Sequence, residues 1–247
     1  HGGPEVLKFG ELPEPTPGEG EVKIKVKACA LNRLDVYTRA GVRGTKMNLA
    51  EPHVLGADVS GEVVEIGPKV TRVSAGDRIV VNPRITCMQC RYCQSNQTEY
   101  CGSAGMIGSA IRGGYAEYVV VPATNAFPIP DALTHVQAAS LPTVFMPSWN
   151  ILIRRSQLKP WETALVPSAS SGVGTAAIQV AKNIAKSTVI ATTSTAGKAE
   201  KAAALGSDHV INYKLEDVSE RLKEITQGRG VDVVIDHVGT DIWNAAN

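Results

Sequence analysis

The chain has 247 residues, enough for one large domain or two ordinary ones. A formal charge of +1, an aromatic content of 5% and 43% hydrophobic residues describe a soluble globule and point away from nucleic acid or an anionic membrane surface as partner. No apolar run approaches the length of a membrane span, and nothing resembles a signal peptide, so a reducing, cytoplasmic setting is expected.

Pro13, Pro15, Pro17 and Gly18 mark an irregular loop before the first clear strand. There Val22, Ile24, Val26 and Ala28 alternate with Glu21, Lys23, Lys25 and Lys27, a period of two that predicts one buried face. Similar strands are expected at 61–66, 78–81 and 116–121, with turns at Gly67-Pro68 and Gly76-Asp77. Short strands at this spacing suggest a partly open barrel or sandwich over residues 1–126.

A lobe at about 84–105 interrupts that domain. It carries Cys87, Cys90, Cys93 and Cys101 in the pattern C-x2-C-x2-C-x7-C. Four thiolates on a short looping segment can occupy the corners of a tetrahedron, as in closed structural zinc sites, where no coordination position remains for substrate. A disulfide pair fits poorly, because the chain has five cysteines and one thiol would be left over. A ferredoxin-type cluster would place its fourth cysteine after three residues and follow it with proline; here the gap is seven and Gly102 follows. Unligated surface thiols are the remaining alternative.

Residues 127–156 read as a helical connection, and from 157 to 247 strands and helices alternate. A short apolar strand is expected at 164–167, then an amphipathic helix with Val173, Ala176, Ala177, Val180, Ala181, Ile184 and Ala185 on its buried face. Strands at 188–192, 209–212 and 231–236 follow, separated by helices at 198–205 and around Val218, Leu222 and Ile225, with Gly206 as a helix stop. This order implies a parallel sheet with right-handed crossovers.

The first strand-to-helix turn reads Ser168-Ala169-Ser170-Ser171-Gly172-Val173-Gly174. Small residues there let backbone approach a pyrophosphate lying on the helix N-terminus. Against G-x-G-x-x-G the loop is degraded, with Ala169 and Ser171 in the first two glycine slots and Gly174 in the third. The second strand leads into Ser194 with no carboxylate to accept hydrogen bonds from the adenosine ribose. Lys198 is close enough in sequence to pair with a ribose 2′-phosphate, or is simply a solvated charge. Together these favour NADP(H), with NAD(H) the less favoured cofactor.

Taken together, the chain resembles the zinc-containing medium-chain dehydrogenase/reductase superfamily, in particular its quinone oxidoreductase-like branch. The resemblance rests on His1-Gly2-Gly3-Pro4-Glu5-Val6-Leu7, Ala30-Leu31-Asn32-Arg33-Leu34-Asp35, Leu55-Gly56-Ala57-Asp58, the cysteine lobe, Gly113-Gly114-Tyr115-Ala116-Glu117-Tyr118 and Ser171-Gly172-Val173-Gly174. It implies an α/β protein: a GroES-like barrel domain, a Rossmann domain cut short at its C-terminal end, and hydride transfer between a nicotinamide and a small-molecule substrate. The parent protein would be a homodimer or homotetramer, and this chain either a fragment or a natural short form.

The superfamily's alcohol dehydrogenases hold a second, catalytic zinc. Its ligand slots fall on Asn32, on Ala57 and near Thr143, none of which replaces a thiolate or imidazole. Cys29, three residues before the first slot, is expected on the opposite face as a packing residue. Without a Lewis acid the suitable acceptors are already activated: quinones, enones or enoyl thioesters. The resemblance implies catalytic roles for Asn32 and Tyr37, and nucleotide contacts from Ser171, Gly172, Val173, Gly174, Ser194, Lys198 and Tyr213. A non-catalytic nucleotide-binding protein or scaffold and a zinc-dependent alcohol dehydrogenase remain alternatives. Pro147-Ser148-Trp149 departs from the branch's Thr-Ala-Trp, and His53, His135, His209 and His237 match no catalytic histidine.

Overall fold

The computed structural model describes residues 1–42, 52–236 and 239, so His237 lies outside the described residues. The chain divides into two compact units, His1–Thr143 and Val144–Asn247.

The first unit is built on strands β1 (Glu21–Ala30), β2 (Asp58–Ile66), β3 (Arg78–Val81), β4 (Arg84–Ile85), β5 (Gly105–Met106), β6 (Tyr118–Pro122) and β7 (Ala126–Pro128). Five of them form an open antiparallel sheet in the order β6-β1-β2-β3-β7, and β4 and β5 pair separately under the cysteine lobe. Val22 and Ile24 are fully buried, as the alternation predicts, while Lys23 turns outward to Glu14 and Glu65. The pattern then breaks. Val26 pairs with Gly61 and Ala28 with Ser60, leaving Lys27 as an extra residue in the ladder. Such a bulge reverses the facing of everything after it. Cys29 therefore joins Val26 against the core, and the expected inward position of Ala28 is corrected. Gly61 is required there, because a Cβ would stand 2.2 Å from the Lys25 carbonyl oxygen. Each fully buried side chain of the kind found at Ile24, Ile79 and Val121 contributes roughly 1.5–3 kcal/mol.

Helices in this unit are short: α1 (Arg33–Ala40), α2 (Arg91–Gln94) and α3 (His135–Ala139), with α4 (Pro142–Trp149) starting at its last two residues. Thr134 caps α3, its hydroxyl accepting from Gln137 N while the Gln137 side chain accepts from Thr134 N.

The second unit contains β8 (Thr163–Val166), α5 (Gly172–Gln179), β9 (Thr188–Thr193), α6 (Ala196–Ala204), β10 (His209–Asn212), α7 (Val218–Ile225) and β11 (Val233–Val234). The four strands are parallel in the order β10-β9-β8-β11. Every residue of β8 is buried, the continuous apolar pattern of a strand covered on both faces. Gly206 stops α6 at positive φ, and Ser207 N reaches back to Ala202 O. Two expectations are corrected. The last strand spans two residues, not 231–236. Ile184 is 53% exposed. After α5 the chain winds more widely through Val180–Ala185, turning less per residue, so Val180, Ala181 and Ala185 stay inside while Ile184 rotates out. Among the described residues no helix is long and apolar enough to cross a membrane.

Candidate functional site

The sulfurs of Cys87, Cys90, Cys93 and Cys101 all lie within 4.8 Å of one another. Cys87 and Cys93 are 3.9 Å apart, Cys90 and Cys93 3.6 Å, and Cys101 and Cys87 3.6 Å. Four sulfurs each about 2.3 Å from a central zinc would stand about 3.8 Å apart, so the residues fit the ion without rearrangement. Cys90 caps α2, which places Cys93 one turn on, and Cys90 N donates to Cys87 Sγ at 3.3 Å. Backbone donors at Gln89 and Cys90 pull the Cys87 thiol down to about 6. Burial, then the neighbouring sulfurs of Cys90 and Cys101, push Cys93 up to about 11. A dication held by the four sulfurs would favour their thiolate forms.

A second polar cluster gathers around Asn32 and Thr143, the residues expected near the ligand slots. Asp58, at the start of β2 and 1% exposed, is its hub. Asn32 Nδ2 donates to Asp58 Oδ2 (3.0 Å), while Thr143 donates from Oγ1 (2.7 Å) and N (3.1 Å) to Oδ1. Thr143 N is in the first turn of α4, so the carboxylate also caps that helix. A second buried carboxylate lies beside it. Asp35, 7% exposed, accepts from Asn32 N (2.8 Å), Tyr115 Oη (2.9 Å) and Gly56 N (3.2 Å). Gly56 holds φ +101, and an added Cβ would meet Cys29 Sγ and Tyr115 N at 2.9 Å. Only glycine lets the chain turn there and present Ala57 and Asp58.

Burial raises the Asp58 carboxyl above the ordinary range, and Asp35 adds to this; Asn32 and Thr143 oppose it. Burial likewise pushes the Cys29 thiol up to about 12, so it is a packed, unreactive sulfhydryl. Tyr115 is raised too, by burial and then by its bond to Asp35. The family resemblance singled out Asn32, Ala57 and a position near Thr143 separately, and the structure joins Asn32 and Thr143 through Asp58, which adjoins Ala57. Asp58, Asp35 and Tyr115 were missed as site residues. An aspartate at the start of a strand whose next residues, Val59 to Gly61, carry no charge was the available signal. Tyr115 supplies a phenol to this network.

In the second unit Ser171, Gly172, Val173 and Gly174 come together at the start of α5, where Ser171 Oγ accepts from Gly174 N at 3.0 Å. A Cβ at Gly174 would stand 2.5 Å from Ser168 O, so the turn admits no side chain there. Ser148, in the slot next to Pro147, is fully buried; its one hydroxyl hydrogen goes to Val144 O at 2.8 Å within α4, and Val173 O lies 3.2 Å from the same oxygen. At the ends of β9 and β10, Lys198 Nζ donates to Ser194 Oγ (3.3 Å) and Tyr213 N to Thr193 O (3.0 Å). The Thr193 hydroxyl, 1% exposed, has no hydrogen-bond partner. A pocket of about 210 Å³ between loop and α6 is lined by Ala169, Ser170, Thr175, Lys198 and Lys201. Small loop residues at a helix N-terminus and two lysines beside them suit the phosphates of a dinucleotide.

An antiparallel unit with a four-cysteine lobe, followed by a parallel unit with a small-residue loop, defines a GroES-like and Rossmann-type oxidoreductase fold. Residues 18–131 match the family model of the alcohol dehydrogenase GroES-like domain, and 172–246 that of the zinc-binding dehydrogenase. An NAD-dependent alcohol dehydrogenase of Sulfurisphaera tokodaii is 34% identical over 93% of this chain and 67% of its own length. Quinone oxidoreductase 1 of Escherichia coli is 35% identical over 98% of this chain and 65% of its own. A crystal structure of an NAD-dependent alcohol dehydrogenase superposes with a TM-score of 0.95 at 40% identity, covering 99% of this chain and 71% of that one. The chain thus belongs to the zinc-containing medium-chain dehydrogenase/reductase superfamily, and it spans about two thirds of the length of these curated relatives.

Proposed function

We propose that the protein is a reductase that passes hydride from NADPH to an activated acceptor, a quinone or the C=C of an enone or enoyl thioester, without a catalytic metal ion. The observation that carries this reading is the saturation of Asp58 by Asn32 and Thr143. Neutral hydrogen-bond donors stand where a simple alcohol would need a Lewis acid to lose its proton at neutral pH. Such donors suffice for a substrate whose carbonyl already withdraws electrons.

The dinucleotide, when bound, supplies the hydride; the chain's part is to hold and orient. Ser171, Gly172, Val173 and Gly174 would receive the pyrophosphate, and Ser194, Lys198 and Tyr213 the adenosine end, with Lys198 favouring a 2′-phosphate. Asn32 keeps one Nδ2 hydrogen beyond its bond to Asp58 and would donate it to the acceptor carbonyl, with Tyr37 as a second donor. Cys87, Cys90, Cys93 and Cys101 would hold one structural zinc, which cross-links the lobe and leaves no position for substrate.

A second reading, an NAD-dependent alcohol dehydrogenase, is supported by relatives of that name at equal identity. Metal content together with turnover on a panel of acceptors and alcohols separates the two. The reductase reading expects one zinc per chain and steady NADPH oxidation with quinones or enones. Two zinc ions per chain with alcohol oxidation would favour the second reading. NADPH binding with no turnover would favour a non-catalytic nucleotide-binding protein.

A further inference from the structure

Asp58 is a buried carboxylate with no cationic partner among the described residues. All its hydrogen bonds come from the neutral groups of Asn32 and Thr143. The other titratable groups around it, Asp35, Cys29 and Tyr115, add no positive charge. Burial of a carboxylate without a cationic partner disfavours the charged form, against the hydrogen bonds of Asn32 and Thr143, so the site favours uptake of a proton. The arrangement tolerates either state. As a carboxylate Asp58 accepts from Asn32 Nδ2 and Thr143 Oγ1; as an acid it can donate to Thr143 Oγ1, whose own hydrogen is then free to turn outward. Asn32 and Thr143 are both half-buried, while the carboxyl between them is buried.

We propose that Thr143 and Asp58 form a proton-delivery pair, in which Thr143 Oγ1 gives a proton to the reduced acceptor and takes one from the Asp58 carboxyl. This rests on the reductase reading above. Hydride addition at the β-carbon of an enone forms a C–H bond and leaves an enolate; hydride transfer to a quinone leaves a hydroquinone anion. The acceptor is reduced by the two electrons of the hydride and the nicotinamide oxidised by the same two. Protonation then completes the product. A new bond to hydrogen forms at the enolate or hydroquinone anion, the Thr143 O–H bond breaks, and the Asp58 O–H bond breaks as Thr143 is restored. Asp58 is left as a carboxylate and regains its proton from water. The plain alternative is that Asp58 only caps α4, which would affect stability and leave proton transfer untouched.

Two measurements decide between them. Infrared spectra of the nucleotide-free protein across a pH titration should show a carboxylic-acid C=O stretch that persists above the ordinary carboxylate range. It should vanish in Asp58→Asn, shift in Thr143→Val and stay in place in Thr143→Ser. Absence of an Asp58 band would overturn the proposal. In turnover, Thr143→Val should lower kcat by roughly 10²–10⁴-fold with KM and NADPH affinity little changed, and Thr143→Ser should restore it. A Thr143→Val enzyme with wild-type kcat and solvent isotope effect would overturn it. Should Thr143→Val not fold, Asp58→Asn carries the same kinetic expectation. If the wild type binds NADPH and reduces nothing, the reductase reading fails by itself, and the infrared arm still decides whether Asp58 holds the proton and shares it with Thr143.

Discussion

Two polar clusters sit in the same unit and answer burial in opposite ways. In the cysteine lobe four sulfurs converge with nothing positive among them, and Cys87 and Cys93 are driven apart in acidity. Around Asp58 and Asp35 every carboxylate oxygen is met by an amide, a hydroxyl or a backbone N–H. The first cluster is of the kind that a zinc ion would complete. The second already has a neutral donor at every carboxylate oxygen. The contrast concerns donor chemistry more than position, since thiolates repel one another until a metal arrives, whereas amides and hydroxyls neutralise a carboxylate without one.

The largest effect that would break this comparison is removal of the lobe's metal. Structural zinc contributes about 10–16 kcal/mol of binding free energy in small zinc modules. Chelation, or Cys101→Ser at the buried thiol, is expected to release one zinc per chain and lower Tm by roughly 20 °C or more, since about 1 kcal/mol moves Tm by about 2–4 °C at this size. A thermal shift assay with and without chelator reads it. No shift would mean the sulfurs hold nothing.

The same treatment should leave the Asp58 cluster's own contribution intact, and that is measured by Asp58→Ala. The substitution strands Thr143 N, Thr143 Oγ1 and Asn32 Nδ2. It should cost about 2–4 kcal/mol in urea unfolding, each buried unpaired donor being worth about 1–3 kcal/mol. Asp58→Asn, which keeps one carbonyl oxygen as acceptor, should cost less than half of that. Equal losses in the two variants would mean that shape alone matters at this position.

The difference between the clusters also explains what could be read in advance. The four cysteines fall within fifteen residues, so their convergence is local and spacing reveals it. Asp58 meets Asn32 across 26 positions and Thr143 across 85, and no spacing rule reaches that far. Only a resemblance to ligand slots placed those residues near one another. The fold divides in the same way. Val22 and Ile24 followed the alternation, whereas the bulge at Lys27 comes from pairing with β2 and turned Cys29 inward instead of Ala28. Ile184 left the face assigned to it because the segment after α5 widened its turn, a change that helical periodicity does not register.

The smallest expected effect lies at His135 and sharpens the comparison from outside both clusters. Ser60 Oγ has one hydrogen, which goes to Ile79 O at 2.7 Å, so the His135 Nδ1 at 2.8 Å must be the donor in its bond to Ser60. The ring is thereby held as the neutral Nδ1–H tautomer. Burial lowers its pKa, and Arg78 and Lys27 lower it further, with Glu62 opposing. A depressed pKa in a basic group means that the unfolded chain takes up the proton first. The stability due to the neutral ring is thus fully present above the ordinary value of 6.5 and is lost as pH falls from there through the folded-state value. Urea midpoints for the wild type should fall between about pH 6.5 and pH 5 more steeply than for His135→Gln. Parallel pH profiles in the two proteins would show that the ring's protonation state does not contribute to the fold.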